Sequence, residues 1–196
     1  MPVKLNSSGG GSVTLTTPST ASDFTATFPA ATGNVVTTGS SAVVSQAMLA
    51  SGVAGNGPAF SAYRSTDQSI STGTWTKVQA NVEEFDTNSN YDNATNYRFT
   101  PTVAGYYQIN GEIKLSGAAA LLIASIYKNG SEFKRGTQFG SATGAGQASA
   151  VSALVYFNGS SDYVELYAFQ SSGSTLNIEG SGGTNGYFQA FLARAA

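Results

Sequence analysis

FDTNSNYD at residues 85–92 and FTPTVAGYYQI at residues 99–109 are the most informative stretches of this 196-residue chain. The second stretch opens an alternating segment, Gly105–Leu115, in which Tyr107, Ile109 and the odd-numbered residues after them share one face. Side chains alternate across a β-strand, so this pattern predicts a strand that is buried on one face.

Similar segments follow at regular intervals. Leu121–Lys128 is apolar on both faces and is followed by the pair Asn129-Gly130, which suits a hairpin turn. Further strands are predicted at Ala148–Phe157, Asp162–Gln170 and Tyr187–Ala193. This spacing predicts an all-β fold, an antiparallel jelly-roll sandwich.

The segment Ala148–Phe157 carries large apolar residues on both faces, with Leu154 and Tyr156 set against Val155 and Phe157. An antiparallel strand of this kind has its second face covered as well. A partner subunit is the simplest cover, and the sheets and loops of the same subunit are the alternative.

The two opening stretches resemble the signature of the globular head of complement component C-one-q, a jelly roll shared with tumour necrosis factor ligands. The resemblance extends from Ala59 to Ala193 and includes AFSAY, TWTKV, YKNG, DYVEL and FQAFL in order. Asn96 and Ala190 stand where the family commonly has glycine, and Ile109 replaces an aromatic residue. The resemblance implies a distant member that forms a tight homotrimer and binds rather than catalyses.

Residues 1–57 differ from the rest, because they contain only two charged side chains, Lys4 and Asp23, and are rich in Ser and Thr. We predict an attachment segment of short strands over 1–40, including Val13–Thr16, Phe24–Phe28 and Val35–Thr37. A short helix over 41–51 and a linker after it are predicted within 41–58, followed by the knob over 59–196. The first part resembles pieces of bacteriophage fibre and tail proteins.

Composition excludes several classes of function. The chain has neither cysteine nor histidine, so a Ser-His-Asp triad and His- or Cys-ligated metal sites are excluded. A net charge of −2 gives no basis for nucleic-acid binding, and no apolar run is long enough to insert in a membrane. The start of the chain does not read as a secretory signal.

Carboxylates offer little for catalysis. Glu83 and Glu84 are adjacent, and neighbouring side chains in an extended segment point to opposite faces. Glu112, Glu165 and Glu179 have no visible partner. The prediction is therefore a non-enzymatic protein, with a glycan depolymerase as the enzymatic alternative.

The loop at 86–92 places oxygen-bearing side chains at alternate positions, Asp86, Asn88, Asn90 and Asp92, as calcium loops do. Tyr91 and Tyr97 stand where an EF-hand would need glycine and glutamate, so an EF-hand is excluded. A different calcium site stays open, because the resembled family includes calcium binders; the alternative is a turn that joins two strands. No other cofactor is indicated.

Aromatic and apolar residues supply the remaining candidates. For a trimer interface or the core, they are Tyr107, Ile109, Tyr163, Tyr167, Phe169, Phe188 and Phe191. For ligand contact, they are Trp75, Tyr91 and Tyr97, although core packing is the alternative for Trp75 and Tyr97.

These observations predict a virion structural protein. It would be a homotrimeric tail or head fibre whose residues 1–57 contact other virion proteins and whose knob binds a host-surface glycan or protein, or decorates the particle. A free-standing trimeric ligand- or glycan-binding module of bacterial or secreted origin is the alternative.

Overall fold

The computed structural model describes residues 3–6, 8–10, 12–15, 56–140, 146–180 and 182–196. The chain divides into two compact units, Met1–Ser40 and Ser41–Ala196. Fifteen strands are present in the described residues: β1 (Val3–Asn6), β2 (Ser12–Leu15), β3 (Ala59–Tyr63), β4 (Gln68–Ile70), β5 (Thr76–Lys77), β6 (Val82–Asp86), β7 (Tyr91–Asp92), β8 (Arg98–Phe99), β9 (Gly105–Lys114), β10 (Leu121–Lys128), β11 (Ser131–Gly140), β12 (Ala148–Phe157), β13 (Val164–Gln170), β14 (Leu176–Ile178) and β15 (Tyr187–Ala195).

Two antiparallel sheets form the sandwich of the second unit. The front sheet has five strands in the order β12-β9-β15-β3-β6. The back sheet has six, in the order β11-β10-β13-β8-β7 with β5 also paired to β13. Strands that are distant in sequence are neighbours in both sheets, as expected of a jelly roll. The predicted all-β sandwich is confirmed.

The long strands follow the predicted alternation. In β9 every odd-numbered residue from Gly105 to Ile113 is buried and every even-numbered one is partly or fully exposed. The chain turns from β10 to β11 at Asn129 and Gly130, which have φ of 51° and 79°. Both lie in the left-handed region that a two-residue hairpin turn requires.

The core lies between the facing sides of the two sheets and is rich in aromatic rings. Phe60 stacks on Tyr91 and Phe99, with ring centroids 4.5 and 4.6 Å away. Phe188 meets Phe60 edge-on at 5.2 Å, and Tyr107 meets Phe99 at 5.7 Å. Offset and edge-to-face pairs add about 0.5–1.5 kcal/mol each beyond the burial of their area.

In the first unit β1 and β2 pair antiparallel, and β2 overlaps the strand expected at Val13–Thr16. The strands expected at 24–28 and 35–37 and the helix expected at 41–51 lie outside the described residues. No helix long and apolar enough to cross a membrane occurs in the part of the chain that the structure describes.

Candidate functional site

Three of the candidates for an interface or the core lie in the core. Tyr107, Ile109 and Phe188 are almost completely buried between the sheets. The Tyr107 hydroxyl donates a hydrogen bond to the Val103 carbonyl at 2.8 Å, and burial raises its pKa to about 12. These side chains fill the sandwich and are not available to a second subunit.

The outward side of the front sheet carries an exposed apolar surface, which we call the exposed face. In the described residues, it holds five of the six large apolar side chains that are exposed, each between 42% and 56%: Phe85, Tyr106, Leu154, Tyr156 and Phe191. The strand register explains the grouping, because Tyr106 pairs with Tyr156 and Gln108 pairs with both Leu154 and Phe191. The rings of Tyr106 and Tyr156 lie 5.4 Å apart.

A small polar network lies within the exposed face. The Gln108 amide donates to Ser152 Oγ at 2.8 Å, and Ser152 Oγ donates to Asn110 Oδ1 at 2.9 Å. These bonds link β9 to β12 from the solvent side. The face therefore combines large apolar groups with satisfied polar ones, as the buried centre of a protein interface does.

The outward side of the back sheet carries aromatic residues that cover each other. Trp75 lies 5.2 Å from Phe169 and 5.9 Å from Tyr127, and Tyr127 stacks on Tyr167 at 4.0 Å. Ile123, the cross-strand partner of Phe169, is buried although its neighbours along β10 face the core. All four rings are only partly exposed. Trp75 therefore packs over this sheet rather than presenting a free ring.

A buried ion group lies at the edge of the same surface. The Glu165 side chain is 3% exposed, and its Oε1 is 2.7 Å from Lys77 Nζ and 3.2 Å from Arg98 Nη2. The guanidinium of Arg98 lies 4.0 Å from the centre of the Tyr163 ring. Tyr163 thus holds Arg98 in place and takes no part in the core.

The loop proposed for calcium uses its carboxylates to form turns. Asp86 accepts hydrogen bonds from the backbone N–H groups of Asn88 and Tyr91. Asp92 accepts from the N–H groups of Ala94, Thr95 and Asn96 and from the Asn96 amide. The Thr95 N–H contributes most to lowering the pKa of Asp92 to about 2.

The remaining two members of the calcium set do the same. Asn88 Oδ1 accepts a hydrogen bond from Thr87 Oγ1 at 2.7 Å, and Asn90 bridges the Asn88 carbonyl to Thr102. No group of three or more His, Cys, Asp or Glu that could hold a metal ion occurs in the described residues. The two carboxylates of this loop are instead taken up by donors of the loop itself, and calcium binding here stays a prediction.

The ring of Tyr91 lies in the core. It is 6% exposed, stacks on Phe60, and its hydroxyl donates to the Ala80 carbonyl at 2.9 Å. The sequence predicted an exposed ring because the neighbouring loop residues are polar, whereas the Tyr91 side chain is buried in the sandwich. Tyr97 is partly buried and has a φ of 51°, unusual for a residue with a side chain.

The same loop forms one wall of a cavity, which we call the loop pocket. Its volume is about 390 Å³ and it is lined by Ser89, Asn90, Tyr91, Asp92, Asn96, Arg98, Thr100 and Thr102. Arg98 Nε is buried and has no hydrogen-bond partner in the structure. Sequence reasoning missed Arg98; the only hint was Glu165, an acid inside an apolar strand that needed a cation.

Comparisons with known proteins agree with this architecture. No family model and no curated protein matches the chain. Among solved structures, the globular domain of zebrafish complement 1qA matches with a TM-score of 0.51 and 16% identity, covering 71% of this chain and 98% of that one. Murine APRIL matches with a TM-score of 0.52 and 8% identity, over 68% of this chain and 96% of that one.

The Eiger TNF of S. frugiperda gives a TM-score of 0.52 at 8% identity, covering 70% of this chain and 93% of that one. Each of these structures is aligned over nearly its whole length, so the likeness applies to a complete domain. At such identities a likeness shows the fold and does not extend to activity. The second unit of this chain therefore has the jelly-roll fold of the complement C-one-q and tumour necrosis factor domains.

Proposed function

We propose that this chain is a non-enzymatic, homotrimeric binding protein of a virion, a short bacteriophage fibre. In this proposal the jelly-roll unit is the knob that attaches to a host surface or decorates the particle. Residues 1–57 dock onto other virion proteins. The observation that carries the proposal is the exposed face of the front sheet.

A monomer gains nothing from presenting that face to water. Burying a side chain of this size stabilises a protein by about 1.5–3 kcal/mol, and contiguous apolar patches of this kind mark sites of association. A second and third copy of the same chain supply a matching surface through rotational symmetry. The resemblance to trimeric jelly rolls makes a closed ring of three the favoured arrangement.

Trimerisation also suits adsorption to a surface. Three identical sites on one knob raise avidity by about 10²–10⁴ over a single weak contact. The attachment role of residues 1–57 is supported by their low charge and their resemblance to fibre proteins. Neighbouring genes for capsid or tail proteins, and recovery of the chain from purified particles by mass spectrometry, would test the virion assignment.

Light scattering on the purified full chain tests the trimer directly. We expect a mass of about 60 kDa, three times the 20.0 kDa chain. A 20.0 kDa species at micromolar concentration would contradict the proposal. It would mean that the exposed face serves a partner other than a copy of this chain.

A free-standing ligand- or glycan-binding module is the second candidate. In this candidate the loop pocket would serve as the ligand site, and no virion partner is needed. A trimeric chain that is absent from virus particles would support this candidate over the first.

A further inference from the structure

We infer that Asn185 is a site of spontaneous deamidation, at which the backbone nitrogen of Gly186 displaces the side-chain amide. The chain has five Asn-Gly pairs, which share the same local sequence and differ in how the fold holds them. The inference is separate from the proposed function, because it concerns the chemistry of one loop within a single chain.

The reaction needs only groups that the chain and water supply. The Gly186 nitrogen loses its proton and attacks Asn185 Cγ, so that a new C–N bond forms, the Cγ–Nδ2 bond breaks and the amide nitrogen leaves as ammonia. Water then opens the resulting five-membered imide at one of its two carbonyl carbons and gives aspartate or isoaspartate. Glycine favours the attack, because it has no side chain to block the approach and its backbone rotates freely.

The other four pairs are held by the fold. Attack requires the amide carbon to turn onto the next backbone nitrogen, to within about 3–3.5 Å. Asn129 Oδ1 accepts a hydrogen bond from the Tyr163 N–H at 2.9 Å, and Asn129 Nδ2 donates to Asp162 at 2.8 Å, so both bonds must break first. In the pair that precedes β3, Gly57 lies directly against the Leu192 side chain, which restricts this backbone as well.

Two further pairs hold the amide oxygen of their asparagine. Asn158 Oδ1 accepts hydrogen bonds from three backbone N–H groups of the turn that follows it. Asn110 lies in β9, between β12 and β15, and its Oδ1 accepts from Gln108 Nε2 and Ser152 Oγ. In each of these pairs the amide is fixed by more than one donor.

Asn185 differs from all of these. Its side chain makes no hydrogen bond within the part of the chain that the structure describes, and it is partly exposed, so water can reach it. Residues 182–186 belong to no strand, and Gly182, Gly183 and Gly186 all have positive φ. A segment without strand hydrogen bonds opens at a lower free energy than the strands around it. The Asn185 amide is therefore free to turn onto the Gly186 nitrogen.

The position of this pair gives the modification a structural consequence. Gly186 directly precedes β15, and its carbonyl accepts a hydrogen bond from the Arg64 N–H at 2.8 Å. Isoaspartate would add one backbone carbon just before β15 begins to pair with β3. The carboxylate of Glu84 lies next to Gly183 in the same loop, so either product also adds a negative charge near an existing one. Deamidation therefore changes both the length and the charge of the chain where it enters the front sheet.

Peptide mapping of the full chain after incubation in warm, mildly alkaline buffer tests the inference. Digestion on the carboxyl side of glutamate separates Asn129, Asn158 and Asn185 into three peptides. The peptide with Asn185 should gain one dalton, the difference between an amide and a carboxyl group, and should divide into aspartate and isoaspartate forms. We expect it to react at least about tenfold faster than the other two, since releasing an amide from one or two hydrogen bonds corresponds to a factor of this size.

Two controls assign the result to the fold and to the residue. In the same chain unfolded in urea, the three pairs should react at similar rates, because no folded contact holds any of them. Asn185→Gln should remove the mass gain from its peptide, because a longer side chain cannot close the five-membered ring. The inference is overturned if the Asn185 peptide stays unchanged in the folded chain, if the peptide with Asn129 or Asn158 reacts as fast there, or if Asn185→Gln gains the same mass at the same rate.

Discussion

Glu165 shows most clearly how one side chain organises its surroundings. It is an acid on a strand whose neighbours Val164 and Leu166 are buried, and it is itself withdrawn from water. Two cations, Lys77 and Arg98, bind its Oε1 from strands distant in sequence. A single carboxylate thereby ties β5 and β8 to β13.

Glu165→Ala should lower the free energy of unfolding by about 3 kcal/mol, because two partly buried cations would lose their common partner. Glu179→Ala is the matched control, since its pair with Lys114 also measures 2.7 Å but is more exposed. That change should stay within about 1 kcal/mol. Urea unfolding at one fixed protein concentration measures the free energy of unfolding of both variants. Equal decreases in the two variants would contradict the special role of Glu165.

The hydrogen-bonded carboxylate of Asp92 leads to a prediction about how stability depends on pH. Hydrogen bonds from the loop hold its pKa at about 2, below the usual value of 3.8. The stability that a lowered carboxyl pKa contributes is complete above the unfolded value and is lost as pH falls through the folded one. Asp92→Asn removes this contribution and should lower stability by about 1 kcal/mol at neutral pH.

The difference between the wild type and Asp92→Asn should therefore shrink as the pH falls from 5 to 2. Thermal unfolding followed by circular dichroism at pH 5, 4, 3 and 2 measures it. The other carboxyl groups contribute equally to the stability of both proteins, so their contributions cancel in the difference. A difference that stays constant down to pH 2 would show that Asp92 does not act through its charge.

Tyr91 and Arg98 show how far sequence reasoning reached at single positions. The motif located the loop correctly, but whether a given residue points inward depends on the path of the loop. Tyr91 was expected at the surface and lies in the core, while Arg98 passed unnoticed and lines the pocket. Local patterns alone contain no information about which distant side chain, such as Glu165 for Arg98, becomes the partner in the folded chain.

At the scale of elements, the strands with strong alternation were predictable and the short ones were not. The bounds of β10 and β12 were predicted correctly, since eight to ten residues of apolar pattern define them. β5, β7 and β8 have two residues each and exist because β13 or a neighbour pairs with them. Their formation depends on the completed sandwich, not on their own propensity.

Glycines at the turns give a test at this scale. Gly159, between β12 and β13, has a φ of 74°, and a Cβ there would come within 2.4 Å of Ala104 N. Gly73 has nearly the same φ, 72°, with open space around it. Both positions disfavour a side chain through their dihedral angles, but only Gly159 lies against another backbone segment.

Gly73→Ala should lower stability by about 1–2 kcal/mol, the penalty for a left-handed residue with a Cβ. Gly159→Ala should lower it further, because the chain at 103–104 must shift to make room. Thermal unfolding of the two variants measures the gap between them. Equal losses would mean that the turn moves freely relative to the start of β9.

At the scale of the whole molecule, the sequence indicated apolar residues on both faces of several strands. It did not indicate which of the two sheets would keep an apolar outer face exposed to solvent. On the back sheet Trp75 packs against Tyr127 and Phe169, and Ile123, the cross-strand partner of Phe169, is buried. The front sheet has no such cover in the described residues, and Tyr106, Tyr156 and Phe191 stay exposed. That difference follows from the placement of β5 beside β13, which no local pattern indicates.

The exposed face therefore gives the prediction on which the quaternary structure depends. Leu154→Glu and Phe191→Glu each place a charge in the proposed interface, where burial without a partner is strongly unfavourable. We expect both variants to lower the mass measured by light scattering from about 60 kDa to the 20.0 kDa of one chain. Circular dichroism should show that the sandwich itself stays folded, because neither side chain contributes to its core.

Phe133→Glu is the control for these two variants. Phe133 is 42% exposed, as much as Tyr106, but lies on β11 of the back sheet. The same charge there should leave the trimer intact, because Phe133 lies outside the proposed interface. This control therefore separates an effect at the interface from a general effect of replacing an exposed apolar side chain with a charge. If Phe133→Glu dissociates the trimer while Leu154→Glu does not, the subunits meet through the back sheet, and the exposed face of the front sheet is free to bind another partner.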